Sequence, residues 1–92
     1  ISDVFEKLDE YKLKVNLIQN SAISFSVCID DKYKNFDAFY DDLKNRFTIK
    51  SYKAVTLYTI RHFNEDAINE IRKKGKSIIS QINTETAQLV IQ

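Results

Sequence analysis

The chain has 92 residues, with 14 Lys or Arg against 13 Asp or Glu, so its size suits a small folded domain with a modest core. The balanced charge leaves no electrostatic footprint for nucleic acid or for an anionic membrane surface. The single Cys closes no internal disulfide, and no apolar run approaches the roughly 20 residues of a spanning helix, so a soluble cytoplasmic protein is expected. The chain opens at Ile1 without an initiator Met and runs almost at once into a helical pattern, as a segment excised from a longer protein would.

The first predicted helix covers about residues 2 to 12. Ser2 or Asp3 serves as its cap, and Ile1, Val4, Phe5, Leu8 and Tyr11 or Lys12 recur at three-to-four spacing, which lines one face with largely apolar side chains. Strands are predicted at about 14 to 19 and 22 to 30. In the second, Ile23, Phe25, Val27 and Ile29 alternate with Ser24, Ser26 and Cys28, the period-2 mark of a half-buried strand. Between them Gln19, Asn20 and Ser21 form a polar elbow with neither Gly nor Pro. Its amide and hydroxyl groups make it the first candidate for a small polar ligand, and they also suit a plain strand junction.

Asp30, Asp31 and Lys32 turn the chain into a second helix at about 35 to 46, whose stripe is Phe36, Phe39, Tyr40 and Leu43. Phe47 to Tyr52 and Ala54 to Phe63 read as two further strands, the latter rich in β-branched and aromatic residues. A third helix is predicted at about 65 to 74, capped by Asn64, with Glu65 and Asp66 at the positive end of its dipole and Gly75 as a left-handed terminator. Two last strands, about 77 to 82 and 86 to 91, are joined through Asn83, Thr84 and Glu85.

A helix followed by two strands thus occurs three times. Paired strands this close together leave no room for the crossovers of a parallel sheet, so an α+β fold is expected, with mostly antiparallel sheets and helices on one face, on the ferredoxin-like plan. Residues 1–52 supply all of that plan but its opening strand. Residues 53–92 supply all but its closing helix and strand. The reading is therefore of two incomplete units.

Other chemistries find little support. His62 and Cys28 match no metal-ligand spacing, and Cys28 reads as a packed strand residue, His62 as a solvated one. One Gly allows no Gly-rich phosphate loop, and Asp30, Asp31, Asp37, Asp41 and Asp42 read as turn formers and a solvated helix face. RNA binding through Phe25, Tyr52 and Tyr58 is disfavoured, because Phe25 belongs to the apolar side of its strand and the basic residues are dispersed.

The stretch VFEKLDEYKLKVNLIQNSAISFSVCID resembles, without a gap, the first regulatory ACT domain of bacterial aspartate kinases, in which a "VF...L" helix leads to a "V-D-x-I-x-x-S" strand and an alternating "V-S-V-x-x-x-D" strand. AVTLYTI, the short helix after it and NTETAQLVI are similar to the second ACT domain. The resemblance implies tandem ACT units that form homodimers and bind an end-product amino acid, lysine or threonine, where ACT units meet. It thereby implies feedback control over phosphorylation of L-aspartate by ATP in lysine and threonine biosynthesis. It places ATP, magnesium and the catalytic residues in a kinase domain outside these residues, which carry no cofactor and no catalytic group of their own. It maps effector contacts onto Ile1, Lys14, Val15, Asn16, Asn20 and Ser21, with Gln19 adjacent. Lysine-sensing members usually have Asp where this chain has Asn16, which removes a charge that would pair with an ammonium group. The alternative reading is a ligand-free, ACT-like dimerisation module.

Overall fold

The computed structural model describes residues 2–92. The order of elements is α1 (Ser2–Glu10), β1 (Lys14–Asn20), β2 (Phe25–Asp30), α2 (Phe36–Leu43), β3 (Thr56–Arg61), α3 (Glu65–Arg72), β4 (Ser77–Ile82) and β5 (Thr86–Ile91). The fold is α+β, with a two-stranded and a three-stranded antiparallel sheet. The chain divides into two compact units, Ile1–Lys50 and Ser51–Gln92.

In the first unit the apolar stripes of α1 and α2 meet over one face of the β1–β2 hairpin. Leu8, Leu13, Phe39 and Leu43 are buried together, with Val15, Ile29 and Ile49 packed against them; each such side chain contributes about 1.5–3 kcal/mol on leaving water. Phe5 of α1 meets Phe25 of β2 edge to face at 5.4 Å, a favoured aromatic geometry. The start of α2 is capped from a distance. Asn35, at the N-cap position, makes no side-chain cap; instead the Asp31 carboxylate accepts from the backbone N–H groups of Asn35 and Phe36 at 2.7 and 2.9 Å, satisfying two of the orphan donors every helix start leaves.

The second unit has strand order β3-β5-β4. Both outer strands run antiparallel to β5 and hence parallel to each other, with α3 connecting them, which is the split βαβ arrangement. Ile68 of α3 buries against Ala87, Leu89 and Ile91 of β5, flanked by Tyr58, Ile60, Phe63 and Ile71. Asn64 caps α3 as expected, its Oδ1 accepting from Ala67 N–H at 2.8 Å.

Five expectations from the sequence are corrected. The elbow begins later: β1 runs through Asn20 and β2 starts only at Phe25, so Gln19 and Asn20 are strand residues and the turn is Ser21 to Ser24. Ile23, expected on the apolar strand face, lies in that turn and is 97% exposed. Phe47 to Tyr52 forms no strand among the described residues: β-branched and aromatic content suits a strand but does not by itself supply a ladder. The strand expected from Ala54 to Phe63 is trimmed to β3 by left-handed residues at each end, Ala54 (φ 56) and His62 (φ 53). Gly75 is not left-handed. It is small because a Cβ there would lie 2.1 Å from the Gln92 carbonyl oxygen, where Lys76 and Gln92 exchange backbone hydrogen bonds of 3.0 and 2.9 Å.

Within each unit a helix leads into a hairpin of the same register. In β1 the pairing steps from Val15↔Ile29 to Leu17↔Cys28, leaving Asn16 as the extra residue of a β-bulge. In β4 it steps from Ser77↔Ile91 to Ile79↔Val90, leaving Ile78. Aligning Asn16 with Ile78 superposes the two hairpins residue for residue: Gln19↔Ser26 falls on Gln81↔Gln88. The turn bond from Ser21 N–H to Ser24 O (2.9 Å) falls likewise on that from Asn83 N–H to Thr86 O (3.0 Å). Each hairpin is preceded by its helix, α1 or α3.

Candidate functional site

The positions singled out from the sequence lie along β1 and its turn, and the structure sorts them into two groups. Ile1 lies outside the described residues. Lys14, Val15 and Asn16 sit at the bulged end, Asn20 and Ser21 at the turn end, and even Asn16 and Asn20 are four strand residues and so about 13 Å apart. One free amino acid cannot span both groups.

At the bulged end, Val15 is consumed by the core. Lys14 pairs with Asp30 across the ladder, and both side chains are exposed. Asn16, also exposed, is the bulge residue, and a bulge re-aims a side chain that a regular strand would commit to one face. Lys14, Asn16 and Asp30 thus bring an ammonium, a carboxamide and a carboxylate to neighbouring positions of the ladder. In the sequence Asp30 has the look of a turn former, because its place opposite Lys14 depends on a register that the bulge sets.

At the turn end the polar groups are largely spent on each other. Ser21 Oγ and Ser24 Oγ lie 2.6 Å apart, and Ser21 Oγ accepts from Ser24 N–H at 3.0 Å. Gln19 pairs with Ser26 and Asn20 with Phe25, so their side chains point to opposite faces of the sheet. The carboxamides of Gln19 and Asn20 therefore do not converge.

Two shallow, open depressions among the described residues do not use these positions. One, of about 350 Å³, is lined by Tyr40 and the segment from Lys44 to Ile49; the other lies on α3 around Asn69 and Arg72. Ligand sites bury most of their ligand, so a ligand at the bulged end needs a second surface to close over it.

Burial pushes the Cys28 thiol up, away from the thiolate a nucleophile needs. His62 is exposed and its backbone N–H donates to Glu85 O at 2.6 Å. The described residues contain no group of three or more His, Cys, Asp or Glu able to hold a metal ion, and no helix among them is long and apolar enough to cross a membrane. A cluster that sequence periodicity did not reveal joins α1 to α2: Asp42 Oδ2 accepts from Tyr11 Oη at 2.9 Å and from Lys7 Nζ at 3.0 Å. No family model matches the chain, and no curated protein sequence is significantly similar to it.

Proposed function

We propose that the chain is the allosteric region of an aspartate kinase, binding an end-product amino acid at the bulged end of β1 and so governing phosphoryl transfer from ATP to aspartate elsewhere in the protein. The observation that carries this reading is the trio Lys14, Asn16 and Asp30. An ammonium and a carboxylate opposite one another match the two charges of an amino-acid zwitterion, and the Asn16 carboxamide is left for its side chain. The resemblance of residues 4–30 to the first ACT domain of that family supports the same assignment. Binding that differs between two arrangements of paired subunits shifts the enzyme between active and inhibited states, since only differential affinity moves such an equilibrium.

Calorimetry of the full-length enzyme with lysine, threonine and methionine tests this. Heat with one of them, abolished by Asn16→Ala, is the expected result. No heat with any of the three overturns it.

The second reading, a ligand-free dimerisation module, draws on the two-stranded sheet of the first unit, since open strand edges recruit partners. The double variant N16A/S21A separates the two. Feedback lost with dimerisation intact supports the sensor, and regulation unchanged supports the scaffold.

A further inference from the structure

Lys12 and Lys32 are far apart in the sequence, and the hairpin register brings them together. Lys14 stands opposite Asp30 at the end of the ladder, so the chain entering β1 and the chain leaving β2 run side by side just beyond it. There the ammonium groups of Lys12 and Lys32 each lie 5.6 Å from the centre of the Tyr33 ring, and so no further from each other than twice that distance. Lys34 follows directly, and all four residues are exposed. We propose that this cluster binds a group of linked phosphates, at a site separate from the amino-acid site at Lys14 and Asn16.

Packing and local electrostatics do not account for the cluster. Two like charges drawn to one ring repel each other, and among the described residues no carboxylate forms an ion pair with Lys12, Lys32 or Lys34. Asp30 stands opposite Lys14, and both carboxylate oxygens of Asp31 are taken by the N–H groups of Asn35 and Phe36. Lys12, just past α1, suits the negative end of that helix dipole. Lys32 and Lys34 stand ahead of the positive end of α2, where the dipole favours anions. Lys12 and Lys34 are moreover left-handed, at φ 57 and 58, a conformation that Gly or Asn adopts at lower cost. Uncompensated charge on strained backbone, gathered at one spot, is what a fold retains for a ligand.

The donor types point to phosphate. All three cations are Lys. A carboxylate is matched best by the planar fork of Arg, whereas the Lys ammonium is a compact point charge on a flexible stem, of the kind that gathers around phosphate oxygens. Linked phosphates carry several charges in a small volume, which suits ammonium groups drawn to one ring. The Tyr33 hydroxyl adds an uncharged donor, and its ring, 57% exposed, offers a face on which a base stacks.

Titration of the full-length protein with inorganic tripolyphosphate, followed by calorimetry and amide NMR, tests the proposal. Binding is expected, with the largest shifts at the amides of Lys12 and of Lys32 to Lys34. Lys12→Gln and Lys32→Gln each remove an exposed charge and should each weaken binding about tenfold. Lys74→Gln removes an equally exposed charge in the second unit and should leave it unchanged. A nucleoside triphosphate that binds more tightly than tripolyphosphate, and loses that margin in Tyr33→Ala, assigns the phosphates to a nucleotide; equal affinity assigns them to a free polyphosphate. No binding of tripolyphosphate, equal weakening by Lys74→Gln, or a glutamate oligopeptide bound as tightly as tripolyphosphate overturns the proposal. The amino-acid titration does not rest on these lysines, so the sensor reading and this one fail separately.

Discussion

Asn35 Nδ2 donates to the backbone carbonyl of Tyr11 at 2.8 Å, tying the N-cap residue of α2 to the chain just past α1. The bond satisfies a carbonyl at a helix end, where no further turn supplies a donor, and it is part-buried. Its neighbour Asp31 holds the Asn35 N–H from the other side, so Asn35 is fixed at backbone and side chain at once.

Asn35→Ala removes the donor and leaves the Tyr11 carbonyl to find water. Leaving a partly buried acceptor unpaired costs about 1–2 kcal/mol, and the urea midpoint of the first unit should fall accordingly. Asn35→Asp replaces the donor with an acceptor beside that carbonyl and should cost at least as much. A variant as stable as the parent would show that the two helices are held by Phe39 and Leu43 packing alone.

Gly75→Ala tests the close approach at the end of α3. The added Cβ would sit 2.1 Å from the Gln92 carbonyl oxygen and 3.0 Å from Ile91 Cγ2. The obstacle is backbone, which cannot swing aside as a long side chain can, so the Lys76–Gln92 pairing must open. Overpacking of this kind costs typically about 1–3 kcal/mol. The expected readout is a lowered melting temperature with faster exchange of the Lys76 and Gln92 amides. Because Gly75 is not left-handed, Gly75→Asn, which relieves a left-handed cap elsewhere, should be no better tolerated than Ala.

Asp42 makes stability depend on pH in a known direction. The Lys7 ammonium and then the Tyr11 hydroxyl hold its carboxyl below the ordinary carboxylate value. A lowered pKa contributes stability above the unfolded-state value, near pH 4, and loses it as pH falls through the folded one. Lys7 is shifted up by its bonds to Asp42 and Glu10, and Tyr11 by its bond to Asp42, so their contribution is complete below about pH 10 and fades as pH rises through their raised values. Asp42→Asn should therefore lower the melting temperature at pH 7, with the difference from the parent shrinking toward pH 3. A difference that persists at pH 3 would mean that the loss is packing and not charge.

Much of this fold was legible because its periodicities are clean. The α1 stripe of Val4, Phe5 and Leu8 and the Asn64 cap of α3 follow from local rules that the structure obeys. Illegible features depended on neighbours. Whether Phe47 to Tyr52 becomes a strand is decided by a partner strand, not by its own β-branched and aromatic content. The bulge at Asn16 is invisible in composition, yet it places Asp30 opposite Lys14 and moves the candidate site away from the Ser21 turn. One signal was available in the sequence: setting Lys14, Gln19 and Ile29 against Lys76, Gln81 and Ile91 aligns the two hairpins without a gap, and shared register would have followed.

The same alignment bears on effector choice. The counterparts of Asn16 and Asn20 in the second hairpin are Ile78 and Ile82, so the polar character of the bulge belongs to the first unit. A carboxamide at the bulge hydrogen-bonds a neutral side chain but offers no charge to an ammonium group. Asn16→Asp adds that charge without changing the side chain's size. A charge-assisted hydrogen bond gains about 1.4 kcal/mol over a neutral one at a partly closed site, so under the sensor reading the ratio of lysine to threonine affinity in the full-length enzyme should rise about tenfold. Competition calorimetry reads the ratio directly, and the gain should shrink in high salt because the pair is near the surface. A ratio unmoved by Asn16→Asp would place the effector's side chain away from the bulge and remove Asn16 from the determinants of specificity.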